Sequence, residues 1–302
     1  MDLFGNEKMP LDNLAFRYGI NPFSVIDKTS LKFKKIESKY NFLKLNNGRE
    51  NTKMSNYKNN SIYAPKNTGT QYISEFSPAL VDIFTSWFCI KGGHIFDPFC
   101  GGAVRGVVSN FNGLKYTGID VRQEQIDDNK KITEKLNNIN YVCEDSLDYT
   151  RKSKLVFDML LTCPPYGNLE TYSDLESDIS NKNYEDFICL YKKIIINSLN
   201  LLKENSFAVI VLSDFRQKEK GGYFGKINPF VSDTIQIVHE NTDCYLYNKG
   251  VILSAIGSAG MRADKIFRYR KLTKIHEEFL VFYKGDFMEI KNKFKWLSKA
   301  NE

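Results

Sequence analysis

From about residue 71 the chain alternates short apolar runs with amphipathic segments, and this alternation narrows its choice of fold more than any other feature. Ser77-Pro78 opens a run with Leu80, Ile83, Phe84, Trp87 and Phe88 at i, i+3, i+4, i+7 and i+8, and Gly92-Gly93 ends it. That is a helical period with Ser at the cap and Pro at the first helical position. His94-Ile95-Phe96 reads as a short buried strand that stops at Asp97-Pro98. Helical patterns at 103–111 and 122–136 flank a strand at Lys115–Ile119, and further strands are expected at Asn140–Cys143 and Val156–Thr162. A long amphipathic helix spans 183–203, and Phe207–Leu212 is almost wholly apolar, as in the buried centre of a sheet. A Gly/Lys loop at 216–228, a helix at 229–240 and two strands at 250–256 and 278–284 around a basic loop complete the pattern. Strands and helices in this order predict an α/β protein with a mostly parallel, doubly wound sheet. The last two strands, joined without a long helix, predict an antiparallel edge hairpin.

Residues 1–70 read differently. Lys28 to Lys44 is dotted with lysines around Phe33, Tyr40 and Phe42, and Asn46 to Asn60 is polar and near low complexity. The expectation is an N-terminal extension over 1–70, partly flexible. At 302 residues, 42% hydrophobic and 26% charged, the chain can bury a core without disulfides or metal, which excludes a wholly disordered protein. No run approaches the roughly 18 apolar residues of a membrane span, and MDLFGNEKMPLDN has neither the basic start nor the apolar run of a secretory signal. The six cysteines (Cys89, Cys100, Cys143, Cys163, Cys189, Cys244) show no CxxC and no His at ligand spacing. No metal, no membrane and a cytoplasmic location are therefore expected. The net charge of +6, from 42 Lys and Arg against 36 Asp and Glu, is compatible with a polyanionic partner without establishing one.

Four motifs at predicted strand ends carry chemistry. Asp97-Pro98-Phe99-Cys100-Gly101-Gly102 lies between a strand and a helix, where glycines let the backbone approach a ligand. No Lys-Ser/Thr follows Gly106, so this is not a phosphate loop, and the acid ahead of the glycines suits a positively charged group. Gly118-Ile119-Asp120 ends the next strand, 23 residues after Asp97. Its carboxylate can accept from two ribose hydroxyls, or can cap the following helix. Glu144-Asp145-Ser146 ends the third strand, where Asp145 can accept from an adenine amine or serve as a turn residue. Thr162-Cys163-Pro164-Pro165-Tyr166-Gly167 ends the fourth. A Pro-Pro pair cannot continue a strand and presents carbonyl oxygens beside an aromatic ring, which suits a planar substrate bearing an NH₂ group; a rigid turn capped by a core Tyr is the alternative.

In this order and spacing, DPFCGG, GID, EDS and CPPYG resemble the class I S-adenosylmethionine-dependent methyltransferases, and specifically the amino-methyltransferases of DNA, whose signatures are DPFxGxG and (D/N/S)PP(Y/F). Glu75 to Leu80 is similar to the segment that in this group precedes the glycine motif and closes over the methionine end of the cofactor. Lys274 to Gly285 resembles the last strand of the same enzymes, and Gly19 to Val25 is similar to phage-associated DNA methylases. The resemblance covers about 71–285 and leaves 286–302 as a basic tail. It implies a Rossmann-like class I methyltransferase fold with a mostly parallel seven-stranded sheet and an antiparallel edge hairpin. It further implies S-adenosylmethionine as cofactor, DNA as substrate and a bacterial or phage-infected cell as setting, with a link to restriction-modification. Phe76, Ser77, Asp97, Pro98, Phe99 and the Gly101-Gly102 turn would surround the methionine moiety. Asp120 would hold the ribose and Asp145 the adenine amine, while Cys163, Pro164, Pro165 and Tyr166 would hold the target base. In such enzymes the exocyclic nitrogen attacks the methyl directly, once the base has been flipped from the duplex.

Two positions depart from the pattern. Position 163 is Cys where the signature has Asp, Asn or Ser, and a thiol is a weak acceptor. A small uncharged residue there is nearer to the Ser of cytosine-N4 enzymes than to the Asp of adenine-N6 enzymes. In CGGAVRG the second glycine is also shifted by one from GxG. A cytosine-C5 nucleophile is rejected for Cys163, because those enzymes carry Pro before Cys. Residues 261–275 hold Arg262, Lys265, Arg268, Arg270, Lys271 and Lys274 with Phe267 and Tyr269 interleaved. They form the expected DNA contact, with a solvated hairpin loop as the alternative; the contact loops are placed at about 216–228 and 257–275. His239 and His276 are read as structural. Competing readings are an RNA guanine-N2 methyltransferase, a protein glutamine-N5 methyltransferase and a catalytically inactive DNA-binding protein of the same fold. A single chain and a homodimer are both compatible with the sequence.

Overall fold

A run as apolar as Phe207–Leu212 needs cover on both faces, and the computed structural model, which describes residues 19–41, 76–167, 175–218 and 224–294, provides it. In chain order the elements are β1 (Val25–Asp27), α1 (Leu31–Ser38), α2 (Pro78–Phe88), β2 (His94–Asp97), α3 (Val104–Phe111), β3 (Lys115–Asp120) and α4 (Gln123–Ile132). They continue with β4 (Ile139–Cys143), α5 (Ser146–Lys152), β5 (Phe157–Thr162), α6 (Tyr184–Asn200), β6 (Leu202–Leu212) and the hairpin β7 (Phe215–Lys218) and β8 (Phe224–Asn228). The chain then adds α7 (Phe230–Asn241), β9 (Cys244–Leu253), α8 (Gly257–Phe267), β10 (His276–Lys284) and α9 (Ile290–Lys293).

Eight strands form one sheet in the order β1-β9-β10-β6-β5-β2-β3-β4. All neighbours are parallel except β10, which runs against both β6 and β9. This is the Rossmann-like arrangement expected, with one strand more than seven. Alternation along β6 divides the core in two. Phe207, Val209 and Val211 face α1, α2 and α3, while Ala208, Ile210 and Leu212 face α6 and α7. The strand order reverses between β2 and β5, and a crevice at the carboxyl ends of strands forms at such a switch point. DPFCGG follows β2 and CPPYG follows β5, so the sheet brings both to that crevice.

Four expectations need correction. The extra strand comes from the segment assigned to a loose extension: β1 pairs parallel with β9 (Val25 opposite Val251), and Phe33, Ile36 and Tyr40 are fully buried against the α2 layer. Burying a Phe or Ile side chain stabilises by roughly 1.5–3 kcal/mol, so 19–41 belongs to the same core; Asn46–Asn60 lies outside the described residues. Lys39 Nζ and Tyr40 Oη both reach the buried carboxylate of Asp82, at 3.0 and 2.8 Å. The last two strands do pair antiparallel, but α8 joins them and β1, not they, forms the edge. The 216–228 loop is largely the β7–β8 hairpin. Finally, the first part of the C-terminal tail is packed, with Phe294 buried 5.2 Å from the Phe207 ring.

Candidate active site

Asp97, the last residue of β2, has no exposure, and a buried carboxylate needs donors. It has four. Oδ2 accepts from Arg105 Nε at 2.5 Å and from the Tyr116 hydroxyl at 2.7 Å. Oδ1 accepts from the Thr162 hydroxyl at 2.7 Å and the Phe99 N–H at 3.1 Å. The carboxylate expected to face a cationic ligand group therefore faces the chain's own Arg105. Arg105 Nη2 also donates to the carbonyls of Phe99 and Cys100, at 2.6 and 3.0 Å, and the guanidinium lies 4.9 Å from the centre of the Phe76 ring. Burial pulls the Arg105 pKa down, but Asp97, Tyr116 and Cys163 more than offset that, and it stays above its ordinary value. Arg105 thus clamps the glycine turn to the end of β2.

The turn itself requires glycine. Gly101 has φ +48°, and its carbonyl accepts from Asn129 Nδ2 at 2.7 Å. A Cβ added at Gly101 or Gly102 would meet nothing within 4 Å, so open space adjoins the turn. The Pro98 carbonyl accepts from the Ser146 hydroxyl at 2.5 Å, and Phe99 stacks on Tyr191 at 6.3 Å. Ser77 stands at the N-cap of α2, but its hydroxyl donates to Glu37 at 2.7 Å.

Asp120 ends β3, and its Oδ1 accepts from the backbone N–H and Nε of Arg122, at 2.9 and 3.2 Å. The N-cap of α4 is Arg122, so the capping alternative for Asp120 does not hold. Asp145 does cap α5, accepting from the Leu147 N–H at 2.7 Å; its other oxygen has no partner among the described residues. With Leu147, Ile179, Leu190 and Ile194 it lines a cavity of about 520 Å³.

Beyond β5, Cys163 packs with the layer that holds Phe76, and Tyr166 with the opposite layer. The Tyr166 hydroxyl meets the Cys163 thiol and donates to Glu277 Oε1 at 3.3 Å. Burial, opposed by Arg105, pushes the Cys163 thiol up to about 12, so it stays protonated at neutral pH. Burial likewise raises Tyr166, aided by Cys163 and Glu277. Pro164 is buried and Pro165 half-buried.

The basic segment is helix α8 followed by an irregular stretch, not one loop. The side chains of Arg262 and Lys265 lie outside the described residues. Arg268 and Arg270 are exposed, with Arg270 5.1 Å from the Phe267 ring, and Lys271 lies 5.9 Å from the Tyr269 ring. Lys274 is turned to Glu278 at 2.7 Å, as is His276 at 3.3 Å. His239 sits in the last turn of α7.

Arg105 and Tyr116 were missed from sequence, and Thr162 and Glu277, though they fall within motifs read there, were given no role. For Arg105 a signal existed, since an Asp at the end of a buried strand needs a nearby cation. Among the described residues no three His, Cys, Asp or Glu could hold a metal, and no helix is long and apolar enough to cross a membrane.

No family model and no curated protein matches this sequence. Solved structures with a similar chain path include TrmN from Thermus thermophilus (12% identity, TM-score 0.46, 69% of this chain and 49% of that one). The N-methyltransferase NodS from Bradyrhizobium japonicum WM9 is similar at 13% identity and TM-score 0.43, over 68% of this chain and 93% of that one. A putative rRNA-methylase from Clostridium thermocellum is similar at 11% identity and TM-score 0.43, over 71% of this chain and all of that one. The chain thus spans about half the length of TrmN.

Proposed function

We propose that this chain is an S-adenosylmethionine-dependent DNA methyltransferase that modifies the exocyclic amine of a flipped base, cytosine N4 or adenine N6. The observation that carries this reading is the meeting of DPFCGG and CPPYG on adjacent strand ends at the switch point of the sheet. The residues suit the cofactor: the Gly101-Gly102 turn borders open space, and Asp120 ends the neighbouring strand. When bound, S-adenosylmethionine supplies an electrophilic methyl group. In this reading Phe76 and the glycine turn border its methionine end, Asp120 accepts from the ribose and the second oxygen of Asp145 meets the adenine amine. Asp97 acts through the turn that it and Arg105 hold. The base stacks on Tyr166 against the Pro164-Pro165 turn, which replaces part of the stacking lost on flipping.

The test is transfer of tritiated methyl from S-adenosylmethionine to duplex DNA, followed by nucleoside mass spectrometry. N4-methylcytosine or N6-methyladenine is expected. Label found only in RNA or protein, or no label from a chain that binds S-adenosylhomocysteine, overturns the reading. Replacing Asp120 by Ala removes hydrogen bonds to a charged acceptor, about 1.5–3 kcal/mol. Calorimetry should then show S-adenosylhomocysteine affinity lowered by about ten- to a hundredfold.

A further inference from the structure

Methylation of an amine needs a group that accepts its N–H and then its proton, and the CPPY turn supplies only half of this. The Cys163 thiol is a weak acceptor and stays protonated at neutral pH. The Pro164 carbonyl can accept a hydrogen bond but cannot carry a proton away. A carboxylate beside the turn comes from another element. Because β10 runs antiparallel to β6, its first residues stand at the rim where the parallel strands end. There Glu277 Oε1 lies 3.3 Å from the Tyr166 hydroxyl. The adjacent Glu278 points to the other face and is engaged by Lys274 and His276. Glu277 Oε2 has no partner among the described residues, and the side chain is only half-buried. Glu277 shares its face of β10 with Phe279 and Val281, whose layer also packs against Cys163.

We propose that Glu277 is a catalytic residue: its carboxylate accepts the N–H of the target amine beside Tyr166, the hydrogen-bond role that the Asp, Asn or Ser ahead of Pro-Pro has in the related motif, and as a carboxylate it can also take the proton. This rests on the methyltransferase reading above. As the nitrogen lone pair forms the new N–C bond, the electron pair of the breaking S–C bond stays on sulfur, leaving S-adenosylhomocysteine. The positive charge passes to the nitrogen, which gives its proton to Glu277 and, through it, to water.

The experiment compares single-turnover transfer to duplex DNA with S-adenosylhomocysteine binding by calorimetry. Glu277→Ala should slow transfer by about a hundredfold, and Glu277→Gln, whose amide oxygen still accepts, by about tenfold. Both should bind S-adenosylhomocysteine as the wild type does. Adding Cys163→Asp to Glu277→Ala should restore about tenfold, because the acceptor returns at the motif position. A purely structural role for Glu277 would not respond to that second change. Wild-type transfer by Glu277→Ala, or no recovery by the double variant while it binds S-adenosylhomocysteine, overturns the proposal and leaves the parent reading intact. Should Glu277→Ala fail to bind S-adenosylhomocysteine, Glu277→Gln decides, and wild-type transfer by it overturns the proposal. If the wild type binds S-adenosylhomocysteine but methylates no DNA, the parent reading fails and the proposal with it.

Discussion

Removing the Arg105 guanidinium would leave Asp97 fully buried with only neutral donors, and an uncompensated buried charge typically costs about 3–5 kcal/mol. Arg105→Met should lower the free energy of unfolding in urea by that amount, and Asp97→Asn added to it should return part of the loss, because a neutral amide is cheaper to bury. Equal stability for the single variant and the wild type would remove Arg105 from its role as clamp. The thiols allow a separate check. Burial pushes Cys163 up to about 12 and Cys244 up to about 11, whereas Cys189 is exposed. Thiolates, not thiols, are alkylated. Iodoacetamide at about pH 8, just below the ordinary thiol value, should label Cys189 first and spare Cys163 until the chain unfolds, as peptide mass spectrometry would show. Rapid labelling of native Cys163 would contradict the protonated thiol. The places of Asp97 and Asp120 at the ends of β2 and β3, and of Tyr166 just beyond β5, were legible because short motifs mark those strand ends. Glu277 was not, since it is one of two adjacent acids and only strand alternation separates it from Glu278.

At the scale of elements, the approach of β3 to the glycine turn depends on Gly118. A Cβ there would stand 2.6 Å from the Cys100 Cβ, whereas one at Gly102 meets nothing within 4 Å. Gly118→Ala should therefore destabilise by about 1–3 kcal/mol, the cost of overpacking a core. Gly102→Ala should leave stability within about 0.5 kcal/mol and yet weaken S-adenosylhomocysteine binding about tenfold, near 1.4 kcal/mol. Thermal denaturation and calorimetry on the two variants separate these effects; a Gly102→Ala chain that binds normally would place the cofactor elsewhere. The helices and strands from α2 to β6 other than α5 were legible from a helical period or an apolar run; α5 was not, because its seven residues carry too few apolar positions to show a period. The β1–α1 unit was not: β1 has three residues, and α1 has lysines around only two buried side chains, Phe33 and Ile36. What fixes that unit is long-range, the pairing with β9 and the contacts of Lys39 and Tyr40 with Asp82. The β7–β8 hairpin escaped for a related reason, as its Gly/Lys-rich sequence shows no alternation.

For the whole molecule, a net charge of +6 averages unlike regions. Acids close the central strands, Asp97 being wholly buried, while Arg268 and Arg270 are exposed beside Phe267 and Tyr269 at the end of α8. Lys274, though close in sequence, is held by Glu278. If the α8–β10 connection contacts DNA, each arginine that neutralises a phosphate adds about −0.9 to the slope of log affinity against log salt concentration. Arg268→Ala and Arg270→Ala should each make the slope shallower by about 0.9, and together by about 1.8, across sequences alike. Lys274→Ala should change it less, because its charge is already paired. Fluorescence anisotropy with a labelled duplex, over a salt range of about 50 to 200 mM, measures the slopes, and unchanged S-adenosylhomocysteine affinity shows that the site is intact. An unchanged slope in the double variant would move the phosphate contacts off this connection, and the β7–β8 hairpin, with Arg216 and Lys226, would be the next surface to neutralise.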